Sequence, residues 1–296
     1  MSKVVSKKSP APAPAPAPAP VPALKKRSSN LWVYLALTIG ALVMAFPVFW
    51  MFSMSLKSPA EIFTTKLIFF PKHPVWANYM LGWVKSGFSK YFINTLIIST
   101  GAVFCSVIFN SMAGYALAKF KFPGRNAIFI FILAALMVPI QVKIVPLYLL
   151  TSALHWVDTY QGAILPTISQ AFGVFIMRQY CLTIPTELIE AARIDGCSEM
   201  RTFWRIIFPL CKPAMAVNVI FQFMWRWNDL LWPLIILRKE QMYTIQQGLA
   251  FFRENPSVAG GPIMAMSLVS ILPIVLIFFI LQKYFVQGIA MSGIKD

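Results

Sequence analysis

One short stretch that carries charges of both signs lies between long apolar runs. Residues 190–196 read Glu-Ala-Ala-Arg-Ile-Asp-Gly, and residues 206–209 read Ile-Ile-Phe-Pro. Carboxylates and a guanidinium at helical spacing form ion pairs and polar contacts on an exposed surface. The chemistry that this stretch offers is therefore recognition of another surface.

A second polar group lies within an apolar run and includes Trp225, Trp227, Asn228 and Asp229. Aromatic faces beside amides and a carboxylate suit a site that binds a sugar in a translocation pathway. The same residues also suit polar contacts that hold membrane helices together. Arg226 can pair with Asp229 at i, i+3, which lowers the cost of placing both in a membrane.

Catalytic and metal-binding patterns are missing from the sequence. The four cysteines form no C-x-x-C pair and the two histidines are far apart, so no metal site is predicted. There is no G-x-x-x-x-G-K phosphate loop, no H-E-x-x-H and no G-x-S-x-G. We predict no catalytic residue, no cofactor held by this chain and no enzyme activity.

The elements that position these groups are membrane helices. The chain is 58% hydrophobic and only 12% charged, whereas soluble domains average about a quarter charged residues. Uncharged runs longer than about 18 residues predict membrane spans. We expect an all-α, polytopic membrane protein with six transmembrane helices, over residues 28–56, 91–118, 126 to beyond 139, 160–177, 213–237 and 261–282.

Residues 1–30 are predicted to form a separate, disordered tail, because Pro/Ala alternation at 10–22 between basic clusters disfavours an α-helix. Residues 31–296 would form the membrane domain.

With the N-terminus inside, the predicted inner segments hold sixteen basic residues and the outer segments hold eight. This bias places both termini in the cytoplasm. The net charge of +16 is attributed to lipid-facing flanks, and no nucleic-acid partner is predicted.

Residues 185–209 are predicted to form two short cytoplasmic helices around a glycine turn. Pro185 suits a first helical position, Gly196 suits a left-handed C-terminal turn, and Ser198 can cap the second helix. Leu188, Ala191 and Ala192 share one face, and Glu190 can pair with Arg193. The residues alone leave two alternatives open, a hairpin lying on lipid and a hairpin docking a protein.

The same stretch resembles the signature loop of permease subunits of binding-protein-dependent ABC importers. The match has Glu-Ala-Ala, three residues, Gly, nine residues, Ile, one residue, and an apolar-Pro pair, in which Phe208 replaces the usual Leu. The resemblance extends over nearly everything after the tail. Segments typical of the carbohydrate branch, of maltose or glycerol-3-phosphate type, lie at residues 57–63, 78–79, 94–96, 113–118, 123–125, 227–233 and 282–288.

The resemblance implies a second permease in a bacterial inner membrane, paired with a homologous permease. The partners would be an ATPase dimer that carries ATP and Mg, an extracytoplasmic solute-binding protein that the segment after residue 238 could reach, and membrane lipid. Glu190, Ala191, Ala192, Asp195 and Gly196 would couple the chain to the ATPase. The alternative function is an ion-coupled carrier, for which Asp229 is the only acid inside the predicted spans.

Overall fold

The computed structural model describes residues 31–168, 170–252 and 260–293, and these residues are helical with short connections. The predicted tail lies outside the described residues. The helices are α1 Leu31–Ser55, α2 Pro59–Ile62, α3 Ala77–Met80, α4 Phe88–Lys119, α5 Arg125–Ala134, α6 Ile140–Ala153, α7 Tyr160–Ile164, α8 Ala171–Thr183, α9 Glu187–Ile194, α10 Glu199–Thr202, α11 Phe208–Leu210, α12 Lys212–Trp227, α13 Leu231–Ile236, α14 Ile245–Phe252 and α15 Gly261–Gly293.

Short turns of 3-10 or π geometry extend several of these helices, at Leu81–Lys85, Ala135–Met137, Leu165–Thr167, Phe203–Ile207 and Glu240–Met242. The chain divides into two compact units, and the second begins at Phe46. The first unit contributes the N-terminal part of α1 to the described residues. All of the sites discussed below lie in the second unit.

Helix α4 is the central helix of the second unit and packs against α8, α12 and α14. Its contact with α8 is close because residue 114 is glycine. A Cβ at Gly114 would lie 2.5 Å from the Cβ of Met177 and 2.8 Å from the backbone nitrogen of Arg178. Small residues allow membrane helices to approach in this way. The long α4 thereby connects the two ends of the unit.

The N-terminal end of α4 is held by hydrogen bonds to the segment after α13. The Asn94 amide nitrogen donates to the carbonyl oxygens of Gln241 at 2.8 Å and Tyr243 at 3.0 Å. Asn94 Oδ1 accepts a hydrogen bond from the Tyr160 hydroxyl at 2.7 Å. These contacts join three separate elements, so Asn94 acts as an interhelix polar contact.

Three helices of the described residues are long and apolar enough to cross a membrane: Leu31–Ser55, Phe88–Lys119 and Gly261–Tyr284. The number rises to five if each of two bent helix pairs is one span. Arg125–Met137 meets Ile140–Ala153 at 104°, and Glu199–Leu210 meets Lys212–Trp227 at 77°. The all-α membrane architecture agrees with the sequence, and the count of six spans stays a prediction.

The predicted spans at 160–177 and 213–237 are both interrupted. The first divides into α7, a 3-10 turn containing Pro166, and α8, because proline lacks the N–H needed to continue a helix. The second leaves helical geometry at Asn228, the residue just after α12, and resumes at Leu231 in α13. Uncharged runs show the lengths of apolar segments but not these breaks.

Candidate functional site

The predicted pair of short helices is present, and we call residues 187–210 the charged hairpin. Helix α9 ends at Ile194, and Gly196 follows in the left-handed region with φ +76°. Gly196 N donates to Arg193 O at 3.0 Å, and Cys197 N donates to Ala192 O at 2.9 Å. This double closure satisfies carbonyls at the helix end and is the usual reason for glycine there.

The second helix of the charged hairpin begins as its sequence predicts. Ser198 occupies the capping position with extended geometry, and its side-chain oxygen accepts from Arg201 N at 3.4 Å. Helix α9 begins later than predicted, since Pro185 lies two residues before Glu187. The backbone nitrogens of Ile189 and Glu190 donate to Thr186 O, so the first turn is built on Thr186.

The ion pair in the charged hairpin differs from the predicted one. Arg193 Nε donates to Glu199 Oε1 at 2.6 Å, instead of pairing with Glu190. The turn at Gly196 brings α10 back toward α9, which places Glu199 within reach of Arg193. The hydrogen bond that Arg193 donates to Glu199 is the main cause that raises the pKa of Arg193. Both side chains are about half exposed, so the pair contributes little to stability.

Most of the residues predicted to meet an ATPase lie on the exposed side of the charged hairpin. Glu190, Ala191, Asp195 and Gly196 are exposed, whereas Ala192 is only 4% exposed and faces the core of the chain. The buried face of α9 is formed by Ile189 and Ala192, so burial separates Ala192 from Leu188 and Ala191, with which its spacing groups it.

Apolar side chains also project from the charged hairpin. Ile194 is 87% exposed, and Leu188 and Met200 are also exposed. The opposite face packs into a buried cluster through Ile189, Phe203 and Ile207. The charged hairpin therefore presents a mixed charged and apolar surface on a backing that belongs to the helical core.

Two residues of α4 attach the charged hairpin to the central helix. The Tyr115 hydroxyl donates to Glu199 Oε2 at 3.3 Å. Lys119 Nζ donates to the Ile184 carbonyl oxygen and to Thr186 Oγ1. Sequence reasoning did not assign this role to Tyr115 or Lys119, although a tyrosine and a lysine at the end of an apolar run were a usable signal. Helix α4 is thus bonded to α10 through Glu199 and to the segment that leads into α9.

The second polar group borders a cavity of about 800 Å³. Trp225, Asn228 and Asp229 line it, together with Lys143, Gln170 and Phe172. Trp227 does not line the cavity. It is fully buried, and its Nε1 donates to Ser270 O in α15 at 2.8 Å. The group thus divides between a cavity wall and an interhelix contact.

The predicted Arg226–Asp229 pair is present at 3.0 Å between Nη1 and Oδ2, with 14% and 17% of the side chains exposed. Asp229 Oδ1 also accepts from Trp232 N at 3.3 Å. Asp229 therefore neutralises Arg226 and caps the first turn of α13 at once. This double role stabilises the break between α12 and α13 at the cavity wall.

Apolar spans, a polar cavity beside a broken helix, and a charged hairpin tied to the central helix are the features of a membrane transport permease. The chain belongs to the family of binding-protein-dependent transport system inner membrane components, which matches residues 110–291. It is thus a membrane protein of a transport family.

Two curated relatives resemble nearly the whole chain. The arabinooligosaccharides transport system permease protein AraQ of Bacillus subtilis is 39% identical over 258 residues, which are 86% of this chain and 92% of the relative. The sn-glycerol-3-phosphate transport system permease protein UgpE of Yersinia pestis is 30% identical over 278 residues, which are 90% and 98% of the two chains.

A solved structure has the same fold. It is a bacterial ABC transporter involved in the import of the acidic polysaccharide alginate, and the matched chain superposes with a TM-score of 0.77 at 25% identity. The match covers 90% of this chain and 100% of that chain. The resemblance stated from the sequence is therefore confirmed.

Proposed function

We propose that this chain is a permease subunit of an ATP-driven importer for a sugar or a sugar-like solute. It pairs with a second homologous permease in the bacterial cytoplasmic membrane, with both termini in the cytoplasm, and forms half of the pathway. The names of its relatives, which transport arabinooligosaccharides and sn-glycerol-3-phosphate, support this substrate class. An extracytoplasmic binding protein delivers the solute.

One observation carries the proposed coupling to an ATPase: the charged hairpin is exposed on one face and attached to the transmembrane core on the other. Glu190 makes no hydrogen bond to another side chain among the described residues, and Ile194 projects beside it. These groups suit a cleft that offers polar contacts and an apolar floor. ATP and Mg are bound by the separate ATPase dimer.

The cavity wall forms this chain's share of the pathway. The cavity of about 800 Å³ accommodates a small saccharide. On its wall, Trp225 offers an aromatic face beside the amide of Asn228. Sugars are bound by such a mixture of apolar faces and hydrogen-bonding groups. Trp227 instead supports the wall from behind through its contact with α15.

Reconstitution tests the proposed function. The complete complex in proteoliposomes, with the binding protein supplied outside, is expected to accumulate a sugar only when ATP is present on the ATPase side. Uptake by this chain alone, driven by an ion gradient, would establish the carrier alternative and overturn the proposal. That alternative is not favoured by the family to which the chain belongs.

A pair of tryptophan variants tests the pathway. Trp225→Ala is expected to reduce uptake with little change in melting temperature, because Trp225 is 38% exposed on the cavity wall. Trp227→Phe removes a buried N–H donor and is expected to destabilise the chain by about 1–3 kcal/mol. Unchanged solute uptake by Trp225→Ala would exclude Trp225 from the pathway. Equal effects of both variants on stability would show that the two tryptophans do not have separate roles.

A further inference from the structure

Two cysteines meet at the base of the charged hairpin. Cys181 lies near the end of α8, and Cys211 lies at the bend between α11 and α12. Their sulfur atoms are 3.5 Å apart, although 30 positions separate them in sequence. The segment between them contains the whole charged hairpin.

Both thiols are enclosed by apolar side chains. Cys181 is 0% exposed and Cys211 is 1% exposed, and they share one buried cluster with Met177, Phe203 and Ile207. A disulfide needs a sulfur–sulfur separation of about 2.05 Å, so the two sulfurs must approach by about 1.5 Å. Cys197 lies half-buried just after the turn, and Cys105 lies half-buried in α4.

We propose that Cys181 and Cys211 are an oxidative modification site, whose disulfide locks the charged hairpin and stops transport. This inference rests on the proposed function for the effect on transport, but the formation of the bond does not depend on it. Disulfides in cytoplasmic proteins are usually transient and redox-sensing. This fits a thiol pair that cytoplasmic reductants keep in the reduced state.

The oxidant is hydrogen peroxide. One thiol loses its proton and attacks a peroxide oxygen, the O–O bond breaks, and the departing hydroxide takes up that proton, so that a sulfenic acid and one water result. The second thiol attacks that sulfur, the S–S bond forms, and the S–O bond breaks with release of a second water. Two electrons pass from the two thiols to the peroxide, and a dithiol reductant reverses the reaction.

The position of Cys211 explains the expected effect. Helices Glu199–Leu210 and Lys212–Trp227 meet there at 77°. A covalent bond from this bend to α8 would tie the second helix of the charged hairpin to the core. The hairpin could then no longer swing about the bend when an ATPase dimer closes beneath it.

The test uses the complete complex, treated with hydrogen peroxide, quenched with N-ethylmaleimide and digested for mass spectrometry. We expect a peptide pair joined through Cys181 and Cys211, lighter by two hydrogen atoms than the reduced peptides. We also expect ATP-driven uptake to be lost in proportion to this pair and restored by dithiothreitol. Cys105→Ala, the matched control, should remain sensitive to peroxide.

Cys181→Ala and Cys211→Ala are each expected to make uptake resistant to peroxide, and either variant suffices if the other fails to fold. Three results would overturn the proposal: no joined pair after oxidation, a joined pair with full uptake, or inactivation that persists in both variants through Cys197. If the reduced complex shows no ATP-driven uptake, the proposed function fails, while the peptide analysis still reports whether the pair forms.

Discussion

Replacement of Gly196 by valine tests whether the turn of the charged hairpin transmits motion. The backbone at Gly196 has φ +76°, and a Cβ added there would meet no atom within 4 Å. Steric crowding by neighbours therefore adds nothing to the energetic cost of the valine side chain. The cost comes from placing a residue with a Cβ in the left-handed backbone conformation. For an L-residue this is about 1–2 kcal/mol, and a β-branched residue lies at the unfavourable end.

That cost acts on the turn alone. A penalty of 1–2 kcal/mol corresponds to a decrease of about five- to thirty-fold in the population with the native turn. The hydrogen bonds from Gly196 N to Arg193 O and from Cys197 N to Ala192 O are the contacts at risk. The membrane helices do not depend on this turn, so the amount of inserted protein should be unchanged.

The assay measures solute taken up per ATP hydrolysed by the complete complex in proteoliposomes. We expect Gly196→Val to lower this ratio by up to the same five- to thirty-fold factor. Gly196→Asn is the matched control at the same position, because asparagine tolerates the left-handed region. Gly124→Val is the control for strain elsewhere, since Gly124 has φ +79° and open space around it.

Two results would refute the reasoning. Native coupling in Gly196→Val would show that the turn geometry is not needed to transmit motion. An equal loss of coupling in Gly124→Val would show that backbone strain anywhere in the chain has the same effect. Reduced insertion of Gly196→Val alone would show that the turn serves folding instead of coupling.

Three further perturbations have expected outcomes. Tyr115→Phe removes the hydrogen bond to Glu199 and should lower the uptake-to-hydrolysis ratio without a change in insertion. Tyr180→Phe, at a residue packed against the same buried cluster, should leave that ratio unchanged. Equal ratios in the two variants would contradict the role of Tyr115. Asp229→Asn leaves Arg226 without its ion-pair partner at the cavity. It should lower the free energy of unfolding by about 2–3 kcal/mol, which is less than the loss of one partner costs in a fully buried ion pair. Chemical denaturation in detergent measures this change, and an unchanged midpoint would refute it. Backbone N–H groups of Lys72 and Ser58 lower the pKa of Glu61, so its stabilising contribution is present above the ordinary glutamate pKa of about 4.3 and is lost as pH falls through the lower folded-state value. The difference in melting temperature between the native chain and Glu61→Gln should accordingly shrink on acidification. A difference that grows would contradict a lowered pKa of Glu61 in the folded chain.

The sequence predicted local features whose cause is local. Gly196 adopts the left-handed turn, Ser198 caps the second helix, and Arg226 pairs with Asp229, as their spacing indicates. Each depends on atoms within a few residues of one another, so one sequence is enough to predict it. The apolar runs likewise located the long helices α1, α4 and α15.

Long-range contacts explain what the sequence did not predict. The partner of Arg193 is Glu199 and not Glu190, because the fold of α10 against α9 decides which carboxylate lies near. Tyr115 reaches Glu199 across 84 positions. Trp225 and Trp227 are two residues apart, yet one borders the cavity and the other is buried against α15.

By itself, the sequence determined the membrane class, the charged hairpin and the permease resemblance, since composition, turn chemistry and a spaced motif are local properties. Only the tertiary structure decided which face of the charged hairpin is exposed, which residues of α4 hold it, and that Cys181 meets Cys211 beneath it. The physical reason is that burial and side-chain contact depend on how α4, α8 and α12 pack, and no short stretch of the chain contains that information.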